Sequence, residues 1–405
     1  MLWFATATSQ STVTNNQTQG VDVDASQTLN VVTATSDVTA TTTATGNSFL
    51  GSVVNGGLDV QSNQSDAGSV QAVTGDSSTG QTGVTIADGG SVATLGLTVD
   101  ATGNSVDSTI SGGGALTGNF VQSDTSPSVD AEAQVNGANA ETTDTQEAVQ
   151  AIANGQDLGS TDSSIDASVT QTNSASVTAN GGAVLGNVSD QGSFSAVGAG
   201  NSLNSTSAGQ SSQTLAASQT NTGQVTQGAM FVNLGNSEVT TTGATATGNN
   251  LSASNTQGPL DVSATQNNQS FVNAQALETS FLFGGATVSA YGVGNSMMAA
   301  NAGPSTTLTN VQLNGTGGVE SSASFSSAGN VGFDASVSST ATGNAATGFA
   351  CSACGGVMSV QNSQTNLGGV SATAQLNLAS GARSVRSTAT AVGNTGSFYV
   401  STPSN

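Results

Sequence analysis

The amino-acid sequence predicts an all-β chain, an elongated repetitive β-solenoid (β-helix) with about eight repeats of about 50 residues. Three observations predict it. A Gly-Asn pair returns at a near-constant interval. Apolar residues alternate with polar ones in the approach to each pair. One composition, rich in Gly, Ser, Thr, Asn, Gln, Ala and Val, runs from end to end without a shift that would mark a domain boundary.

The pairs are Gly46-Asn47, Gly103-Asn104, Gly200-Asn201, Gly248-Asn249, Gly294-Asn295, Gly343-Asn344 and Gly393-Asn394. Successive glycines lie 57, 97, 48, 46, 49 and 50 residues apart. The gap of 97 holds two periods, with a degenerate copy at Ala153-Asn154-Gly155. A second marker follows each pair but the last: Gln61, Gln122, Gln171, Gln219, Gln266, Gln312 and Gln361. Asn15-Asn16-Gln17 is the same patch ahead of the first pair.

Val38, Ala40, Thr42, Ala44 and Gly46 share one parity, as do Leu95, Leu97, Val99, Ala101 and Gly103. Ala286, Val288, Ala290, Gly292 and Gly294 repeat the pattern. Period-two alternation marks a strand with one buried face. The buried residues are small, which suits stacked coils better than a bulky two-layer core. Gly-Asn suits a turn at the strand end, because both residues tolerate positive φ. Stacked Asn and Gln side chains can form ladders along the stacking axis. With two or three coils per repeat the chain makes roughly 16–24 coils, a rod about 80–120 Å long. Only Gln146–Ile152 reads as a helix, of about two turns.

The whole chain, 1–405, is thus read as one repetitive solenoid. Residues 1–12 form an N-terminal stub, disordered or signal-derived, and 396–405 a C-terminal cap or tail. Both ends of an open stack expose unpaired backbone groups, so end-to-end self-association or a capping partner is expected. Phe398-Tyr399-Val400, near Arg383 and Arg386, is read as the cap.

Composition narrows function. The chain has no His and no Lys, two Arg, 24 acidic residues and a net charge of -22. Most proton-transfer, imine and anion-holding chemistry lacks its side chains. Nucleic-acid binding lacks its basic residues. No catalytic, cofactor or metal site is expected, and the chain reads as a non-enzyme. Asp22 with Asp24, and Asp162 with Asp166, are read as solubilising surface acids rather than cation ligands. Gly198-x-Gly200 belongs to the repeat and does not complete a nucleotide loop. Cys351 and Cys354 read as a small loop disulfide or two inert thiols, since four zinc ligands cannot be assembled. No run reaches the roughly 20 apolar residues of a membrane-spanning helix. Export is inferred from composition.

The repeated Ala-Thr-Gly-Asn-Ser of 44–48 and 101–105, the length, the composition and the scarcity of basic residues resemble the D family of holdfast anchor proteins of stalked alphaproteobacteria. That resemblance implies an extracellular, cell-surface, outer-membrane-associated adhesion protein that fixes an adhesive holdfast polysaccharide to the outer membrane. It implies two partner proteins, a curli-like companion subunit and an outer-membrane secretion lipoprotein. The recurring Gln, Asn and Gly-Asn also resemble curli-like functional-amyloid subunits, although the period here is about twice theirs. The alternative function is therefore a self-polymerising fibre subunit.

Overall fold

The structure, a computed structural model, describes residues 10–75, 83–329, 332–351, 356–379 and 381–401. Among them the chain is β-strand joined by short turns, and every strand pairing is parallel. Partners in adjacent strands lie about one repeat apart, such as Gln10 with Gly57 and Ser176 with Ser128. Parallel neighbours separated by a long connection define a solenoid rather than a hairpin meander.

Eight short strands form one sheet: Gln10–Gln19, Gly57–Asp66, Ala115–Asp124, Ser164–Asn173, Gln213–Asn221, Leu260–Asn268, Ser305–Asn314 and Val357–Asn366. They stack in sequence order, one per coil. The rest of each coil lies in a 14-stranded sheet. In the middle coils it is a single strand of 31 to 34 residues: Ser128–Thr161, Ser176–Ala208, Val225–Asn255 and Phe271–Asn301. Toward the ends the same path is divided, as in Val70–Thr74, Val84–Ile86 and Ser91–Ser111.

Each repeat is therefore one wide coil, not two or three narrow ones. The stack holds eight coils, and seven steps of about 4.8 Å give a height of about 34 Å. The expected 80–120 Å rod is corrected accordingly. A narrow coil would need a bend every few residues, whereas here alternation continues through strands of more than 30 residues. The helix expected at Gln146–Ile152 is likewise absent, because those residues lie inside the strand Ser128–Thr161. Glu147, Val149 and Ala151 alternate inward there, and the pairing with Ser91–Ser111 and Ser176–Ala208 overrides local helix propensity.

Two kinds of core fill the coil. The short strands pack against the last part of each long strand, joining Leu58, Val60, Leu116 and Phe120 to Val106, Ile110, Leu158 and Leu203. The first and middle parts of the long strands pack against each other, joining Val70, Ala72 and Val129 to Ala40, Leu97 and Val99. Further along the stack this second core resumes around Val272, Val288, Phe325 and Val337. Phe283, from the apolar Phe281-Leu282-Phe283 cluster, lies in it edge-on to Phe325, with ring centroids 4.9 Å apart, while Phe281 faces outward.

Ala382–Ser401 is a full strand paired with Gly332–Cys351. Phe398-Tyr399-Val400, read from sequence as the cap, thus lies in the last strand of the last coil, and residues 402–405 of the expected cap or tail lie outside the described residues. Tyr399 stacks on Phe349 at 6.0 Å, and Phe398, Tyr399 and Val400 are exposed. Arg383 binds Asp334 of the preceding coil through two nitrogens and lies over Phe333. That hydrogen bond holds the Asp334 carboxyl below its usual range. At the other end Gln10–Gln19 is the first strand of the first coil, and residues 1–9 of the expected stub lie outside the described residues. Cys351 closes the strand Gly332–Cys351 and is disulfide-bonded; Cys354 lies outside the described residues.

Candidate functional site

The most regular feature of the molecule is a set of amide rows running through all eight coils where the two kinds of core meet. The Gly-Asn pairs supply the first. Asn47, Asn104, Asn154, Asn201, Asn249, Asn295, Asn344 and Asn394 stack so that each Nδ2 donates to the Oδ1 of the next, at 2.7–2.8 Å throughout. The degenerate copy takes its place through Asn154, with Ala153 standing where the others have glycine.

These pairs are not positive-φ turns. The left-handed residues are elsewhere, at Asn55, Asp162, Gly75, Gly89, Gly112, Gly113, Gly209 and Gly318. Gly-Asn instead sits inside a continuous strand, where two successive residues face inward. Ala101 and Gly103 are buried on one parity; Asn104, Val106 and Ser108 are buried on the other. The switch lets one strand line first one core and then the other. In seven of the eight coils glycine leaves the space above its Cα to another side chain; the third coil has Ala153 there. A Cβ on Gly248 would lie 2.3 Å from Asn268 Oδ1, and one on Gly294 2.3 Å from Asn314 Oδ1.

Glutamine supplies the second row: Gln17, Gln64, Gln122, Gln171, Gln219, Gln266, Gln312 and Gln364. Each Nε2 donates to the Oε1 of the preceding coil at 2.7–3.0 Å, so this row has the opposite polarity to the first. Five of the seven glutamines marked from sequence belong to it. Gln61 and Gln361 do not: they are exposed, and Gln64 and Gln364 take their places.

The third row was missed in the sequence. It is formed by the residue that closes each short strand, two positions after the glutamine. Asn173, Asn221, Asn268 and Asn314 each donate to the next member at 2.7–3.0 Å, and the row ends on Asn366 Oδ1. Asp66 and Asp124 hold the equivalent positions in the second and third coils. The signal was a Gln-x-Asn or Gln-x-Asp tripeptide, as in Gln64-Ser65-Asp66 and Gln364-Thr365-Asn366. It picks out Gln364 over Gln361 in the last coil, whereas in the second coil both Gln61-Ser62-Asn63 and Gln64-Ser65-Asp66 fit it.

The rows tie coils together as well as running along them. Gln171 donates to the carbonyl of Ser202 in its own coil, and Asn201 donates to that of Thr220 in the next. Among the described residues no three of His, Cys, Asp and Glu come together. Asp22 accepts from the Ser69 amide, Asp162 occupies a left-handed turn, and Asp24 and Asp166 face outward on strands.

Two further acids lie in the second kind of core. Glu147 accepts from the Gly182 amide at 2.9 Å, and burial pushes its carboxyl up to about 8. Glu278 accepts from Thr240 and Thr242, which partly offset the same burial and leave it at about 6.

With the repeat placed coil by coil, the comparison with known families is direct. A family model described as holdfast attachment protein D matches residues 32–318 and 329–404. The chain belongs to the holdfast attachment protein D family. No curated protein and no solved structure matches it. The matched span of this holdfast attachment protein covers every Gly-Asn pair, Cys351 and both arginines. Family membership gives the chain a role in holdfast attachment and a place at the cell surface.

Proposed function

We propose that the protein is a non-enzymatic structural element that fixes the adhesive holdfast polysaccharide to the outer membrane. Its partners in this reading are a curli-like companion subunit and an outer-membrane secretion lipoprotein. The observation that carries the proposal is the amide row through all eight coils, buried from Asn47 to Asn344, of a chain of this family. Such a stack resists pulling because separating two coils breaks a backbone ladder and the side-chain rows together.

A place for a sugar polymer exists on the outer face. Gly182 has no side chain there, and its neighbours across the strands are Gln134 on one side and Phe231, then Leu277, on the other. The result is a trough of about 510 Å³, rimmed by Asn180, Gln227 and Asn233. Sugar rings combine apolar faces with hydroxyl edges, which suits an aromatic floor and an amide rim. Cells without the protein should export the polysaccharide but shed it. Complementation with Phe231→Ala should restore the folded protein and leave its co-sedimentation with the purified polysaccharide about three- to tenfold weaker. Firm retention of the polysaccharide by the deletion strain would refute the anchoring role, and unchanged binding by Phe231→Ala would move the contact elsewhere.

A second reading is end-to-end assembly, favoured by the polarity of the rows. At the C-terminal edge Asn394 presents donors and Gln364 an acceptor; at the N-terminal edge Asn47 presents an acceptor and Gln17 a donor. Head-to-tail stacking would continue both rows. Filaments built this way should show an axial repeat of about 38 Å, eight steps of about 4.8 Å, by electron microscopy.

A further inference from the structure

The third amide row changes chemistry at its N-terminal end. From Asn173 onward each member has an N–H to give to the next coil. Asp66 and Asp124 are fully buried members with no amide nitrogen. The orientation of each carboxyl is fixed by its first oxygen. Oδ1 of Asp66 accepts from the amide of Gly68, and Oδ1 of Asp124 accepts from both the amide and the hydroxyl of Ser126. Asn173 is held the same way, its Oδ1 accepting from the amide of Ala175. In Asn173 the other terminal atom is Nδ2, which donates to Asn221 Oδ1 and to the carbonyl of Ala175.

In the two aspartates that place is taken by Oδ2, and neither Oδ2 accepts a hydrogen bond from any of the described residues. Its surroundings hold acceptors. A Cβ on Gly46 would sit 2.3 Å from Asp66 Oδ2 and 2.6 Å from the Gly103 carbonyl oxygen. One on Gly103 would sit 2.3 Å from Asp124 Oδ2 and 2.7 Å from the Ala153 carbonyl oxygen. No side-chain cation lies near them, since both arginines are in the last coil and there is no Lys or His.

We propose that Asp66 and Asp124 are carried as neutral carboxylic acids, each donating the hydrogen bond that an amide nitrogen donates in later coils, so that the first three coils form a proton-operated clasp. A proton fits better than a metal ion. Calcium takes 6–8 oxygens at 2.3–2.6 Å, and the packing above Gly46 and Gly103 has no room even for a methyl group.

The other acids on the packed strands face away. Asp24, Asp37, Asp107, Glu141, Asp157 and Asp166 are exposed, and Asp59, Asp100, Asp130, Glu132 and Asp144 lie half-exposed on outward parity. Glu147 faces inward but toward Gly182. Burial also raises Asp100, and burial with the Asp157 charge raises Asp107, but both sit on the outward parity. Asp66 and Asp124 are the titrating pair within the row. Burial first, and for Asp66 also the Asp124 charge, raise them to about 7 and about 6 from 3.8. A raised carboxyl stabilises the closed form fully below its open-state value near 3.8 and progressively less as pH rises through 6 and 7.

The test is hydrogen exchange by mass spectrometry on the full chain at pH 5 and pH 8, corrected for intrinsic exchange rates. Peptides within 10–124 should open at least tenfold more at pH 8, since one pKa unit is a tenfold change per group. Peptides within 357–378, which hold no acidic residue, should change less. Asp66→Asn with Asp124→Asn should fold, because asparagine is the residue of the later coils, and should protect 10–124 at pH 8 as the unmodified chain does at pH 5. An equal pH response in that double variant would overturn the proposal. So would protection at pH 8 that calcium restores and a chelator removes, which would put a cation where the proton is placed.

Discussion

Asn201→Ala should destabilise the stack by about 3–6 kcal/mol, measured by denaturant unfolding. Asn201 lies in the middle of the first row and is fully buried. It receives the Asn154 amide, donates to Asn249, and donates to the Thr220 carbonyl. Truncation removes those three bonds, takes the donor from the buried Asn249 Oδ1, and leaves Asn154 Nδ2 with the Thr172 carbonyl alone. An unsatisfied buried group costs about 1–3 kcal/mol, and the narrow interior leaves little room for water to replace the lost amide. Asn204 is the control. It lies on the outer face of the same strand and bonds to Asp157 in water. Asn204→Ala should change stability by less than about 0.5 kcal/mol. A comparable effect of the two substitutions would show that the buried rows add nothing beyond ordinary strand pairing.

The contrast between these asparagines bears on what could be read before the structure. Both lie in Asn- and Ser-rich stretches, and neither is distinctive alone. Asn201 was legible because the glycine before it recurs, and the recurrence has a steric cause in the side chain above it. The solenoid, the count of eight repeats and the existence of ladders followed from that spacing. Coil width did not follow. Alternation was read up to Gly-Asn and taken to end there, because glycine and asparagine usually mark turns. In fact it resumes on the opposite parity, and only the parallel partners of Asn104, Val106 and Ser108 reveal the continuation. Gln61 and Gln361 were chosen over Gln64 and Gln364 for a similar reason. Each is a glutamine in a polar patch, and a three-residue slip exchanges the inner and outer faces of a strand. The outer trough was not legible at all. It depends on Gly182 lying between Gln134 and Phe231, residues about 50 apart in sequence, and nothing local marks their meeting.

Gly248→Ala should be the more damaging of two alanine substitutions made only five residues apart. At Gly248 the new Cβ would meet Asn268 Oδ1 at 2.3 Å, the Gly294 carbonyl at 2.5 Å and Asn268 Cγ at 2.6 Å. None can yield freely. Asn268 is held by bonds from Asn221 and to Asn314, and the Gly294 carbonyl belongs to the next coil's backbone. The methyl group must therefore displace the third row or spread two coils, at a cost of about 2–4 kcal/mol, the upper part of the range for overpacked interiors. At Gly243 the nearest atom to a new Cβ is Ser289 Oγ at 3.7 Å, an ordinary contact. Gly243→Ala should be neutral or slightly stabilising, since alanine costs less backbone entropy than glycine in an extended strand. Unfolding midpoints of the two variants measure the difference directly. Equal midpoints would mean that the glycine of the Gly-Asn pair is conserved in spacing for some reason other than the side chain above it. A low midpoint for Gly248→Ala alone fixes the repeat's meaning: glycine leaves the gap through which one amide row passes the next.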